Sequence, residues 1–178
     1  GQIAVAQAFL SRLRQARGRV ILVGSILGRV ALPYVGACSI SKFALEAVTD
    51  ALNMELSAWG ISVSLVEPGN IATPIWQRSR QRFLDTVDAV SGMGLYRREM
   101  DAFGYATERF AAKGIPPRTV AGAVERILRT RRPKARYLVG RDAWIAGSLA
   151  PLVPARLRYW LIRRIALRGA PRGCNSEP

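Results

Sequence analysis

Apolar side chains recur at helical spacing from the start of the chain. Ile3, Ala6, Phe9, Leu10 and Leu13, with Arg12 and Arg14 among them, predict one amphipathic helix over residues 2–14 that Gly18 ends. The period then changes: Val20-Ile21-Leu22-Val23 is a short, uniformly apolar run, as expected of a strand buried on both faces of a parallel sheet. Gly28, Pro33 and Gly36 punctuate a loop over 25–36, and a long helix is expected from Cys38 to Trp59, stopped by Gly60. Ile61 to Val66 reads as the next strand, closed by Pro68-Gly69. Strand, long helix and strand, joined by short punctuated loops, make the right-handed crossover unit of an α/β sheet.

From Thr73 to Lys113 the pattern is helical but interrupted by Gly92, Gly94 and Gly104, which suggests a mobile insertion over a site. Pro116-Pro117 opens a helix over Thr119–Thr130, and Tyr137-Leu138-Val139-Gly140 reads as a last strand. Residues 141–168 interleave Trp144, Leu149, Leu157, Trp160 and Ile165 with Arg156, Arg158, Arg163, Arg164 and Arg168, giving a basic amphipathic helical extension. Residues 169–178, polar and rich in Gly and Pro, are expected to be a disordered tail.

Composition narrows the chemistry. With 178 residues and 49% hydrophobic content the chain supports one domain with a real core. Histidine is absent, which removes Ser-His-Asp catalysis, histidine-bound zinc and any imidazole base. Two cysteines, Cys38 and Cys174, are too few for a disulfide framework, and no stretch reads as a signal peptide, so a reduced, cytoplasmic protein is expected. The formal charge is +15, and residues 114–178 alone hold fourteen basic and three acidic side chains. That asymmetry fits either an anionic partner or generally arginine-rich residue usage. No nucleic-acid-binding motif accompanies the charge, and nucleic acid is not an expected partner.

Three segments carry more than periodicity: the strand run ending Val23-Gly24-Ser25; Tyr34-Val35-Gly36-Ala37-Cys38-Ser39-Ile40-Ser41-Lys42; and Val66-Glu67-Pro68-Gly69-Asn70-Ile71-Ala72-Thr73. In order and spacing over roughly residues 1–140 they resemble the short-chain dehydrogenase/reductase family, in its steroid- and retinol-dehydrogenase-like form. The resemblance implies a Rossmann-like doubly wound parallel sheet, here lacking the N-terminal strands and the glycine-rich cofactor loop. Residues 1–140 would then be the C-terminal part of the dehydrogenase domain, and the start of a longer protein would be missing. The first strand present would show an unpaired edge where its neighbour belongs.

The same resemblance implies NAD or NADP as cofactor and hydride transfer to or from an apolar alcohol or carbonyl, bound among residues between Trp76 and Phe110. Family enzymes pair this with a Tyr-x-x-x-Lys motif, in which the lysine, one helical turn on, lowers the phenol's pKa from ~10. Lys42 takes the lysine's role and that of holding the nicotinamide ribose hydroxyls. Ser25 takes the substrate-orienting serine's place, its plain alternative being a loop serine that caps a turn. Pro68, Gly69, Ile71 and Thr73 match the loop that meets the nicotinamide carboxamide. The tyrosine's own position holds Cys38.

A thiol has a usable pKa of ~8.5, but its sulfur stops one bond beyond Cβ, short of an oxygen placed for a phenol. Acid–base transfer needs hydrogen-bond reach of ~2.6–3.2 Å or one bridging water. Cys38 is therefore a small inert side chain, a water-relayed donor, or a thiolate with another use. Tyr34 could swing in as a substitute phenol or serve as a pocket wall. The expected function is an oxidoreductase impaired by Cys38. Its alternative is a catalytically dead interaction module, dimerising through the helices at 2–14 and 38–59. The basic extension would be either a peripheral membrane anchor or a helix packed on its own domain.

Overall fold

A computed structural model describes residues 1–75, 78–79, 81, 101–106, 109 and 112–166. Most of the expected insertion over the site, including Trp76 and Phe110, lies outside the described residues, as does the tail at 169–178.

Three strands form one parallel sheet in the order β1 (Arg19–Val23), β2 (Ser62–Pro68), β3 (Arg136–Val139). Side chains alternate between its faces. On one, Val20, Leu22, Val63 and Leu65 pack with Leu45 and Leu56 of α3 (Gly36–Leu56), and Ala6, Leu10 and Leu13 close the cluster from α1 (Gln2–Ala8) and α2 (Leu10–Ala16). On the other, Val66 and Val139 meet Ala123 and Ile127 of α4 (Pro117–Arg129). The result is the helix–sheet–helix layering of a doubly wound fold, with β2 central and buried from Val63 to Pro68.

The expected single helix over 2–14 is two helices, broken at Phe9 and running on to Ala16. The two halves have different anchors. The Gln2 amide donates to Val23 O and accepts from Val23 N at the end of β1, whereas Leu10 and Leu13 pack into the core. The left-handed residue that ends α2 is Arg17 (φ 47°), not Gly18, although a Cβ at Gly18 would stand 2.9 Å from a Leu13 methyl. Helix α3 starts at Gly36, two residues before the expected Cys38, and ends in a 3-10 turn, Ser57–Trp59, stopped by left-handed Gly60.

Among the described residues β1 is paired on one side only. A groove of about 560 Å³ runs between its outer edge and α1–α2, lined by Val5, Phe9, Leu13, Val20 and Leu22. Its walls are largely apolar, as befits a surface shaped for another element of protein. Beyond β3, α5 (Arg141–Leu149) packs on the sheet's end and α6 (Ala155–Ala166) follows, tied back by Arg158 Nη1 donating to Ala150 O at 2.9 Å.

Candidate active site

Parallel strands present their carboxyl ends together, and the sequence-selected residues gather at that end of β1 and β2. Gly24 leaves β1 with its N–H on Val66 O at 2.8 Å, where a Cβ would stand 3.0 Å from a Leu65 methyl. Ser25 follows in extended backbone, and its Oγ accepts from Leu27 N at 3.2 Å, capping the 3-10 turn Ile26–Gly28. That bond uses a lone pair and leaves the hydroxyl proton to donate. Gly28 then lets the turn lie flat on α3, since a Cβ there would come within 2.8 Å of Lys42 O. One glycine thus brings the Ser25 turn against the helical turn that carries Lys42.

Lys42 is half-buried, and among the described residues no carboxylate pairs with it. Cys38, a free thiol, sits exposed one turn earlier, in the first turn of α3. Tyr34 takes a left-handed conformation (φ 65°), and its ring meets Phe103 edge-on at 5.7 Å, a wall-like placement.

The Pro68–Thr73 loop leaves β2 beside this group and is held from behind. Gly69 N bonds Val139 O at 2.9 Å, and Asn70 and Ala72 bracket Ile115 through Ile115 N on Asn70 O and Ala72 N on Ile115 O. Asp142, in the first turn of α5, accepts from Asn70 N at 2.6 Å. Its carboxylate fills the space where a Cβ of residue 69 would be, 2.4 Å away, so only glycine fits there. Asp142 is a positioning residue that sequence reasoning missed. Its one local signal was an acidic side chain just after the Gly140 that opens a helix.

A charge cluster underlies both loops. The Arg29 guanidinium forks onto Glu67, through Nε to Oε1 and through Nη2 to Oε2 at 2.9 Å, and Glu67 is fully buried. One turn beyond Lys42, Glu46 accepts from Arg136 Nε at 2.8 Å, and Arg136 also reaches Asp50 at 2.7 Å. Glu67 holds the Arg29 guanidinium above its ordinary pKa. Burial pushes the Glu46 carboxyl up, the adjoining Glu67 carboxyl pushes the same way, and Arg136 opposes both. Glu46 Oε1 is buried and meets no donor.

Because its native pKa is raised, Glu46 contributes stability that is present below the ordinary carboxylate range and lost as pH rises through the raised value. Arg29, Arg136, Asp50 and Glu67 are the charged groups packed around it. Glu46→Gln is expected to abolish that part of the fall in Tm as pH rises above the ordinary carboxylate range of about 4. Thermal unfolding of both proteins over that rise in pH checks it, and parallel curves would rule it out.

Comparison with known proteins identifies the family. Residues 1–83 match the family model for short chain dehydrogenase. The chain is 37% identical over 147 residues to a 3-amino-tetrahydro-pyrrolizinone reductase of Xenorhabdus hominickii, covering 80% of this chain and 51% of that protein. It is 35% identical over 181 residues to retinol dehydrogenase 5 of Mus musculus, covering 93% of this chain and 55% of the relative. The chain belongs to the short-chain dehydrogenase/reductase family. It spans about half the length of the curated relatives it matches. A short chain dehydrogenase from Burkholderia cenocepacia, solved in complex with NADP, superposes with a TM-score of 0.61 at 24% identity, covering 87% of this chain and 52% of that one. That likeness establishes the Rossmann-like fold, of which this chain forms part.

Proposed function

We propose that this chain forms the substrate and nicotinamide end of an NAD(P)-dependent oxidoreductase for an apolar alcohol or carbonyl compound, impaired by Cys38. The observation that carries the reading is the placement of the Ser25 turn directly on the Lys42 turn of α3, at the carboxyl ends of parallel strands. NAD or NADP, when bound, supplies or accepts the hydride. Lys42, which no carboxylate among the described residues pairs with, would set its ammonium on ribose hydroxyls, and Ser25 has a hydroxyl proton for a substrate oxygen. Pro68, Gly69, Ile71 and Thr73 form a loop whose rear is already fastened, which suits it to hold a planar amide. The short reach of Cys38 leaves the proton step without a direct donor.

A second reading, an interaction module without catalysis, is favoured by the apolar outer faces of the helices. Ile40, Phe43 and Met54 on α3 and Ile3 and Val5 on α1 are exposed, as a homo-oligomer contact through these helices would require. The test is reduction of apolar aldehydes and ketones by NADH and by NADPH in this chain and in Cys38→Tyr. Turnover that appears or rises sharply with the tyrosine supports the oxidoreductase reading. A folded Cys38→Tyr protein that turns over none of them favours the second.

A further inference from the structure

Helix α5 is built with its small residues inward. Ala143, Gly147 and Ala150 are buried, and Gly147 lies against Leu138 and the stem of Arg29 with no room for a larger side chain. Its large apolar residues face the other way: Trp144 is 64% exposed, and Ile145 and Leu149 are exposed beside it. The turn that follows puts Leu152 at 77% exposure. In α6 no residue from 155 to 165 is buried. Leu157, Trp160, Leu161 and Ile165, spaced i, i+3, i+4 and i+8, make an exposed apolar stripe. Single exposed apolar residues are ordinary, but two consecutive helices that both turn such residues outward mark an interaction surface.

Charge selects the occupant. Residues 141–166 contain five arginines and one acidic residue, Asp142, whose carboxylate is taken up by Asn70 N. At 100° per residue Arg156 and Arg163 flank the α6 stripe on its Trp160 side, and Arg164 falls within it. Arg164 stands 5.0 Å over the Trp160 ring and Arg158 5.7 Å over that of Tyr159, so cations and amphipathic rings are held side by side. A Trp-bearing Leu/Ile stripe flanked by Arg156 and Arg163, with the long side chain of Arg164 able to carry its charge past the Trp160 ring, is the composition of a helix lying at a lipid–water boundary. No described helix is long and apolar enough to cross a membrane, so the contact is one of lying on the surface.

We propose that α5 and α6 form a seat for an anionic lipid surface, with the stripe entering the acyl boundary and the arginines pairing with lipid phosphates. The inference does not depend on catalysis. Because Asp142 of the same α5 fastens the Asn70 loop, the seat and the candidate site share one structural element.

The test is co-sedimentation and tryptophan emission of the full chain with phosphatidylcholine vesicles, with and without about 30% phosphatidylglycerol. Binding with a blue shift is expected on the anionic vesicles, weaker by at least ~10-fold on phosphatidylcholine alone and at ~0.5 M salt. Two paired variants, Trp160→Glu with Leu161→Glu, and Arg156→Glu with Arg163→Glu, should each lose at least ~10-fold in binding. Met54→Glu, at an exposed apolar position on α3, should bind as the parent does. All changed positions are exposed, and circular dichroism checks that folding is retained. No binding by the folded chain, equal binding to both vesicles, or binding retained in the Trp160/Leu161 variant would overturn the proposal. So would lipid-independent self-association that the same pair abolishes, which would make the face a protein–protein contact.

Discussion

Cys38→Tyr is expected to raise NAD(P)H-dependent reduction of apolar carbonyl compounds by about 10²–10⁴-fold, the usual contribution of a positioned general acid. Position 38 lies in the first turn of α3 and Lys42 one turn later, so both side chains share one helical face. The thiol is exposed, so a longer side chain enters open space and requires no repacking. A phenol there reaches a whole ring further from the backbone than the thiol does. It also gains the lysine's charge to bring its pKa down from ~10, which neither a water relay nor a displaced Tyr34 supplies in that position. Cys38→Phe fills the same space without an acid and should stay at the parent's level. If phenylalanine raised turnover as much as tyrosine, the effect would be one of packing and not of proton transfer.

Arg29→Ala is expected to cost about 3 kcal/mol of stability, the scale seen when one partner of a buried ion pair is removed. For a chain of this length that is a fall of roughly 6–12 °C in Tm. The loss follows from Glu67, which is fully buried in the central strand and receives both arms of the Arg29 fork. Without Arg29, the carboxylate is left beside Glu46, itself a carboxyl short of donors. Arg29→Lys keeps the charge but not the fork, and should lie between parent and alanine variant. Replacing the pair together, Arg29→Met with Glu67→Leu, should recover much of the loss, because no charge is then stranded. Equal loss in the double variant would mean that Arg29 acts through its packing against Gly147 and not through Glu67.

Much of the frame was legible because it rests on local signals. The apolar run at Val20–Val23 and the Ile61–Val66 segment both read as strands and are strands, but only β2 is covered on both faces: in β1 Val20 and Leu22 are buried while Val23 is exposed, because the far end of this strand has no covering element among the described residues. Ser25, Lys42 and the Pro68–Thr73 loop were singled out by the family resemblance, and the fold sets them at a strand end, on a helix turn and after a central strand. The break at Phe9 was not legible, since the apolar period runs through it unaltered. The charge cluster was invisible because Arg29, Glu46, Glu67 and Arg136 belong to four segments and meet only in the fold. The sequence pattern of α5 points the wrong way, because its inward face is made of small residues and its large ones are outside. Asp142 therefore read as part of an extension, although it braces the loop that the family resemblance had singled out.

The central claim, that the Ser25 turn, Lys42 and the Pro68–Thr73 loop still form a nicotinamide pocket, is tested most directly by calorimetric titration of the folded chain with NADH and then NADPH. The account predicts saturable binding of at least one of them, weakened in Lys42→Ala by about tenfold or more, as loss of a charge-assisted hydrogen bond of ~1.5–3 kcal/mol implies. A chain that is folded by circular dichroism and binds neither, or binds equally well without Lys42, would contradict it.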